Sequence, residues 1–594
     1  LLGWEGKLLK VDLTARTTSV ERLSETTLAT WLGGRGLGAY LLYKHKRHLL
    51  DPFDPLAPVI IAAGPLSGSG IPGASRTSMT ALSPLTNTVF DSNCGGHIGI
   101  RLKRAGYDAL WIEGESSTPV TLAISSDGVE FLDAAPLWGL GNREATARLA
   151  TNPGKSYASL TIGPAGENTS LMANINQGGR FFGRGGLGAL FGRKKLKAVC
   201  IAGRGKFTPA DPEGFRFVAD ECRKLLSANP ITSRGLPQFG TPVLMNVMNS
   251  VEALPSRNFR ESRFEGAGKI SGEAIRDNLA VGSHGCPGCT IRCGRMVKAD
   301  GREIEGPEFE TLWAFGANLG IDDLEGIATL NYLANDLGLD TVSAGSTMAA
   351  ARELFERGKL EFDPLENGIA GLGELLREMS LNKGRGAKLR DASRVLCEEA
   401  GAPELSMSVK GLEMPAYDPR GCQGQGLAYA TSNRGGCHLR AYMIAPEILA
   451  VPKLVDRFAT SGKAGLVIVS QNINAAVDSL VLCRFTSFAL RDDYYARLLK
   501  TATGLEIDAQ GLMGVGERIY TLERLINLAR GIDASFDQLP SRLLTESAAE
   551  GPGAGKVVEL GPMLIEYYRF RGWDAQGRPT PEKLKALRLM EATD

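Results

Sequence analysis

Cys286-Pro287-Gly288-Cys289-Thr290-Ile291-Arg292-Cys293 sets three thiols at two- and three-residue gaps. Thiolates three or four residues apart share one side of a turn, so the three can converge on a single inorganic centre. Proline and glycine between them favour a tight loop over a helix buried in an apolar core. Three thiolates leave a fourth position open. For a [4Fe–4S] cluster that ligand comes from elsewhere in the chain, and Cys483 is the candidate. Two plainer readings stand beside it: a structural zinc with His284 among its ligands, since zinc also takes closely spaced Cys and His, or three unrelated buried thiols. The spacing favours the cluster.

Outward from this loop the other cysteines, at 94, 200, 222, 397, 422, 437 and 483, are scattered. That argues against a disulfide framework and for a reducing compartment. Leu1 to Lys7 lack the basic and apolar regions of a secretory signal, and no apolar run reaches the ~18 residues that span a bilayer. A cytoplasmic protein without a membrane segment is expected. The formal net charge of +1 gives no global field for nucleic acid or anionic lipid. At 594 residues the chain exceeds a single hydrophobic core, and several domains are expected. Its 73 glycines lie between apolar segments rather than in a linker, the pattern of many loops with positive φ or close backbone approach to a ligand.

On the N-terminal side the chain reads as strands. Leu8–Leu13 with Thr17–Val20, and Val120–Ile124 with Val129–Leu132 around Asp127-Gly128, predict hairpins. Val59–Ala63 and Lys197–Ile201 are short apolar runs suited to buried strands. Near residue 208 the character changes: Asp211 can cap a helix with Pro212 at its first position. Helical patterns follow, as in Glu374–Met379 and Ala392–Ala400, and beyond the Pro/Gly-rich Met414–Gly426 in Ile519–Arg530 and the Thr580-capped segment to Leu587. The fold class is α+β: a β-rich domain over 1–208, then two mainly helical domains over 209–411 and 412–594.

Gly183-Arg184-Gly185-Gly186-Leu187-Gly188 formally matches G-x-G-x-x-G, but residues 204–210 hold no acid and a strand at 197 follows closely. A dinucleotide site is therefore rejected. Backbone N–H groups of such a loop can still hold phosphate, helped by Arg180 and Arg184. Gly33–Gly38 reads as a second such loop, and Arg76 with Asn93-Cys94-Gly95-Gly96 as a third constellation, in which Asn93 can offer an oxygen to Mg²⁺. No Walker-type G-x-x-x-x-G-K-[ST] occurs.

Taken together, these stretches resemble the aldehyde ferredoxin oxidoreductase family. The residues that carry the likeness are Gly33–Gly38, Gly73-Ala-Ser-Arg-Thr77, Asn93–Gly96, Asn174–Arg180, Gly185–Gly188, the cysteine loop, Gly306–Thr311 and Asp478…Cys483, nearly end to end. The resemblance implies a tungsten atom held by two pterins beside one [4Fe–4S] cluster ligated by Cys286, Cys289, Cys293 and Cys483. It also implies a first domain that forms the base for the pterins, and a Mg²⁺ near Asn93 and Gly185 bridging their phosphates. Arg76, Gly95, Arg180 and Arg184 would contact the cofactor. Two D-x-x-G-L-type loops would do so as well. In the first, Asn335 stands where Asp is usual, with Asp336, Gly338, Leu339 and Asp340 as contacts; in the second, Asp478 and Leu482 are the contacts and Val481 stands where Gly is usual.

By the same resemblance Glu310 and His438 would face the metal and move protons, with Glu308 as the rival carboxylate. The implied activity is oxidation of small aldehydes to acids, with electrons passed to ferredoxin or to iron–sulfur or flavin subunits in an oligomer. Pairing through an E-x-x-H metal site is not expected, since the chain has no such motif. A tungsten-dependent aromatic acyl-CoA ring reductase subunit, with Cys437 or Cys94 near the metal, is the enzyme alternative, and a zinc-stabilised scaffold the non-enzyme one.

Overall fold

The computed structural model describes residues 2–150, 157–548 and 551–590; Leu1 of the N-terminal stretch lies outside them. Strands β1 (Lys7–Asp12), β2 (Thr17–Arg22), β3 (Val59–Ala62), β4 (Arg76–Leu82), β5 (Val89–Gly95) and β6 (Ala109–Glu113) form one sheet in the order β2-β1-β6-β3-β4-β5. A second sheet takes β7 (Val120–Ser125), β8 (Gly128–Asp133), β9 (Ala158–Thr161), β10 (Ile175–Gln177), β11 (Arg180–Phe182) and β12 (Leu196–Ile201) in the order β11-β10-β9-β12-β7-β8. Both hairpins read from the sequence form, β1 with β2 and β7 with β8.

Side chains alternate across a strand, and here the alternation sorts two cores. Leu9, Val11, Val59, Ile61 and Leu110 face Leu122, Ile124, Leu160 and Val199 of the second sheet. Their neighbours Leu8, Ile60, Ala62, Ala109 and Trp111 face the other way, onto Leu37, Leu41, Leu480, Ile519 and Leu522. The first sheet is thus a middle layer, with helices of the C-terminal region on its far face.

Gly33–Gly38, expected as a loop, is instead the start of a helix, Gly34–Lys44. The glycines serve proximity: a Cβ on Gly38 would lie 2.2 Å from Thr80 Oγ1 of β4. Gly183–Gly188 runs from β11 into the helix Leu187–Arg193, a helix the sequence reading did not foresee. Yet β11 pairs antiparallel with β10, and β12 lies between β9 and β7, so no βαβ unit forms and the dinucleotide reading stays rejected.

The helix Pro212–Ala228 begins where expected, with the Asp211 side chain accepting from the Gly214 N–H. Its apolar face packs in the core that holds Tyr495 and Leu499. The cysteine loop joins β13 (Ala280–His284) to β14 (Gly294–Ala299), which pairs in turn with β15 (Arg302–Glu305). The register sets His284 opposite Gly294, so the two ends of the loop are closed just beneath Cys286 and Cys293. Further on, β16 (Ser408–Val409) and β17 (Leu412–Glu413) make a minimal ribbon. The Pro/Gly-rich segment after it is no exposed hinge, since residues 411–437 are buried throughout. Glycines there allow dense backbone packing, and one core takes in Trp313, Leu330 and Met348 with Leu427, Tyr429 and Tyr567.

A buried ionic network fastens the first sheet to the C-terminal helices. Arg35, fully buried, donates to Glu523 at 2.6 Å and to Asp478 at 3.3 Å. Arg440 donates to Asp478 at 3.1 Å and also pairs with Asp91 of β5. Among the described residues no helix is long and apolar enough to cross a membrane.

Candidate cofactor and active site

Cys286, Cys289, Cys293 and Cys483 line one cavity of about 290 Å³. The hairpin supplies three of them, and the turn after the helix Lys463–Ser479 supplies the fourth, whose N–H donates to Gly73 O at 2.9 Å. Gly95, at the end of β5, closes the wall: a Cβ there would lie 2.5 Å from Cys286 Sγ. Arg76, opposite it on β4, donates to Asn93 O at 3.1 Å and to Cys483 Sγ at 3.5 Å. Burial opposes charge on Arg76, but Cys483 and Cys286 outweigh it and raise its pKa above the usual range. Among the described residues no three His, Cys, Asp or Glu side chains converge closely enough to hold one metal ion. The zinc reading needs that convergence; a four-iron cluster needs a wider ring of thiols.

Arg180 lines the same cavity, 3.3 Å from Glu308 and 3.2 Å from His284 Nε2. His284 in turn lies 2.9 Å from Glu305, whose carboxyl burial pushes up to about 7. Glu308 and Glu310 stand two residues apart at the start of the helix Phe309–Leu312, about 200° apart around its axis. That geometry separates the rival carboxylates. Glu308 faces the cysteine cavity, and Glu310 turns to His438, Oε1 to Nε2 3.7 Å.

Glu310 Oε2 accepts the Ala416 N–H at 2.9 Å, while buried Oε1 has no hydrogen-bond partner. Burial raises this carboxyl to about 7, against the lowering effect of the Ala416 N–H and Arg184. Burial, with Arg184 and Arg434 adding to it, drives His438 down to about 3. The imidazole is neutral at every working pH, and the carboxyl is poised to exchange a proton near neutrality. Tyr417 and Tyr442 flank His438, with ring centroids 5.3 and 6.0 Å from it. Sequence reasoning missed both tyrosines; the one signal was their placement in and just after the glycine-rich stretches around His438.

Among the proposed pterin contacts, Asn93 Oδ1 is buried without a hydrogen-bond partner, the state of an atom awaiting a ligand. Arg184 donates to Asp340 at 2.9 Å and to the carbonyls of Glu413 and Gly436 at 2.9 and 3.1 Å. The Gly185 carbonyl accepts from Ser83 Oγ at 2.7 Å. Gly338 caps its helix in the left-handed conformation, and the carbonyls of Gly338 and Leu339 accept from Asn174. Asp336 is not at the cavity. Its carboxylate accepts the Arg143 N–H at 2.9 Å, holding the start of the helix Asn142–Ala150, while its neighbour Asn335 lines the cysteine cavity. Asp478 is engaged by Arg35 and Arg440, and Leu482 lies in the apolar core. Val481 takes φ 58°, a genuine outlier for a β-branched residue, at the position where the family has glycine.

Cys437, beside His438, accepts from Arg434 at 2.9 and 3.2 Å and from the Leu439 N–H at 3.3 Å. Burial pushes this thiol up, but Arg434 and Arg440 outweigh it and hold it below its ordinary range. A sulfur so bonded fixes the His438 loop.

The aldehyde ferredoxin oxidoreductase N-terminal-domain profile matches residues 8–203, and the profile for domains 2 and 3 matches residues 218–589. The tungsten-containing aldehyde ferredoxin oxidoreductases of Pyrococcus furiosus and Thermococcus kodakarensis are each 42% identical, over the whole of both chains. A solved structure titled as the active site complex BamBC of benzoyl coenzyme A reductase, with 1,5-dienoyl-CoA, superposes with a TM-score of 0.86 at 25% identity, covering 100% of this chain and 98% of that one. With two profiles spanning nearly the entire sequence and full-length relatives at this identity, the chain belongs to the aldehyde ferredoxin oxidoreductase family.

Proposed function

We propose that the protein oxidises small aldehydes to carboxylic acids at a tungsten bis-pterin centre, passing electrons through one [4Fe–4S] cluster to ferredoxin or a partner subunit. The observation that carries this is the four-cysteine cavity joined through Arg76 to the Asn93 turn. Cys286, Cys289, Cys293 and Cys483 would hold the cluster. Arg76, Asn93, Gly95, Arg180 and Arg184 would hold the pterins from the first domain, with Gly338, Leu339, Asp340, Asp478 and Leu482 from the other two. Asn93 and Gly185 would hold a Mg²⁺, which would neutralise phosphate charge on the pterins. When bound, tungsten supplies the oxygen nucleophile and accepts two electrons, and the cluster passes them on singly. Glu310 and the neutral His438 would orient the aldehyde oxygen, and Glu310 would take up a proton that the oxidation releases, with Tyr417 and Tyr442 walling the substrate side.

The acyl-CoA ring-reductase alternative draws on the likeness to the benzoyl coenzyme A reductase complex and on the Cys437 thiol, held below its ordinary range beside His438. Protein purified without oxygen is expected to carry tungsten with about four irons, and to reduce viologen dye with aldehyde. A single zinc without dye reduction overturns the proposal. Oxidation of a dienoyl-CoA thioester in preference to aldehyde selects the alternative.

A further inference from the structure

The arginines fully shut away in the core are all answered by the protein. Arg35 meets Glu523, Arg420 meets Asp418, Arg440 meets Asp91 and Asp478, Arg524 meets Asp537, and Arg571 meets Gln471 and Asn472. Arg484 breaks this pattern. Its Nε is closed off from solvent without a hydrogen-bond partner. Among the described residues its guanidinium makes no hydrogen bond and no ion pair, while the side chain as a whole is part-exposed, so a ligand has a face to reach.

The chain on either side sets its place. Val481, Leu482 and Thr486 are buried, and the Cys483 N–H is tied to Gly73 O. Cys483 and Phe485 both line the cysteine cavity, whereas Arg484 between them does not. With Cys483 extended, ψ 135°, the guanidinium is carried to the other side of this turn, away from the four thiols. Asp478 is the acid whose charge acts on it, but Arg35 at 3.3 Å and Arg440 at 3.1 Å already claim that carboxylate. Burial pulls the Arg484 pKa down, yet a guanidinium starts so high that it stays charged at any working pH.

A charge held away from water costs free energy unless it is paired, and a methionine of similar length would pack here without that cost. The guanidinium therefore fits a partner that arrives from outside the chain with the opposite charge. Its fork of N–H donors matches two oxygens of one carboxylate or phosphate. The position lies one residue beyond the Asp478–Cys483 loop given above to the pterins.

We propose that Arg484 seats an oxyanion delivered by a bound molecule, either a phosphate of the cofactor or a carboxylate that the aldehyde carries away from its reacting carbon. The inference rests on the aldehyde-oxidation reading for what brings the oxyanion, but not for the seat. Holoenzymes with Arg484→Met, or with Arg484→Lys, which keeps the charge but not the fork, separate the two sources. Tungsten and pterin content and the electron paramagnetic resonance of the cluster are read first. Next comes kcat/KM for butanal and for 4-oxobutanoate, which has a carboxylate where butanal has a methyl group. A cofactor phosphate on Arg484 is expected to leave both variants with the cluster signal but without most of their tungsten and pterin. A substrate carboxylate is expected to leave tungsten in place and to lower the preference for 4-oxobutanoate over butanal about 10- to 100-fold in Arg484→Met. Wild-type tungsten, pterin and preference in both variants overturn the proposal. So does joint loss of cluster and tungsten, the mark of a merely structural arginine. Wild-type protein that lacks tungsten and is inert to both aldehydes overturns the functional reading instead. The seat then stands if calorimetry finds inorganic phosphate bound by the wild type and not by Arg484→Met, and falls otherwise.

Discussion

The cysteine cavity and the Glu310–His438 centre are neighbouring polar sites built on opposite plans. The first draws three of its four thiols from one eight-residue hairpin loop, and all four remain partly exposed. The second joins side chains 128 positions apart, each about one-fifth exposed, with Glu310 Oε1 itself buried; desolvation moves the carboxyl up to about 7 and the imidazole down to about 3. Electron transfer asks little of the side-chain environment, because electrons cross short gaps of protein. Proton transfer near neutral pH needs a shifted carboxyl, and desolvation is what brings Glu310 close to 7.

The largest expected effect separates the two sites outright. Cys483→Ala is expected to abolish the four-iron signal in electron paramagnetic resonance, or convert it to a three-iron one, while the Glu310 side keeps its fold. An intact signal would sink the cluster assignment. Gly95→Ala tests the same wall more gently. Its methyl would meet Cys286 Sγ at 2.5 Å, and iron content is expected to fall without the loss of the other three thiols.

On the other side, Glu310→Gln and His438→Asn are each expected to keep metal and cluster but lose about 10²–10⁴ in turnover. In the wild type kcat/KM is expected to rise with pH through about 7, as the Glu310 carboxyl ionises, and the Gln variant should lack that rise. A Gln variant whose profile keeps the inflection would remove Glu310 from proton transfer. Stability gives a second reading. The folded pKa of about 7 lies above the ordinary 4.5, so the stabilisation from this carboxyl is full below 4.5 and is lost as pH rises through 7. Glu310→Gln is therefore expected to gain on the wild type at pH 8 by up to about 3 kcal/mol, and not at pH 4, by chemical denaturation.

The smallest effect concerns Val481, two residues before Cys483. Left-handed backbone costs it about 1–2 kcal/mol, but its fully buried side chain reaches 2.9 Å from where a Gly34 Cβ would stand. Burial of a valine is worth about 1.5–3 kcal/mol, so packing outweighs strain. Val481→Gly is expected to destabilise by about 1 kcal/mol in denaturant melts; a clear gain would reverse that ranking.

The contrast also explains what the sequence could be made to say. Hairpins, buried strands, the Asp211 cap and the cysteine loop depend on near neighbours, and period, turn residues and spacing express them directly. Gly33–Gly38 misled because glycine marks close approach as readily as positive φ, and only the position of Thr80 decides between them. The Pro/Gly-rich Met414–Gly426, read as marking a domain boundary near 412, lies wholly inside the core, because Pro and Gly also serve dense interior packing. Glu310 and His438 were reached by resemblance alone, since nothing within either local stretch specifies the other.

The Arg35 network has a consequence for anyone dividing this chain. Arg35 comes from the first domain, and its partners Asp478 and Glu523 from the last. A fragment ending near residue 208 would leave Arg35 only Asp91, at 3.5 Å, of its three acids, and the complementary fragment would bury Glu523 without its arginine. Stranding one member of a buried pair costs about 3–5 kcal/mol, against a total stability of about 5–15 kcal/mol for a typical domain. Separately expressed pieces would therefore be insoluble or unfolded, and only co-expressed pieces would recover the native assembly. For gene fusions, deletions or transplantation of this enzyme into another host, the whole polypeptide is the smallest portable unit.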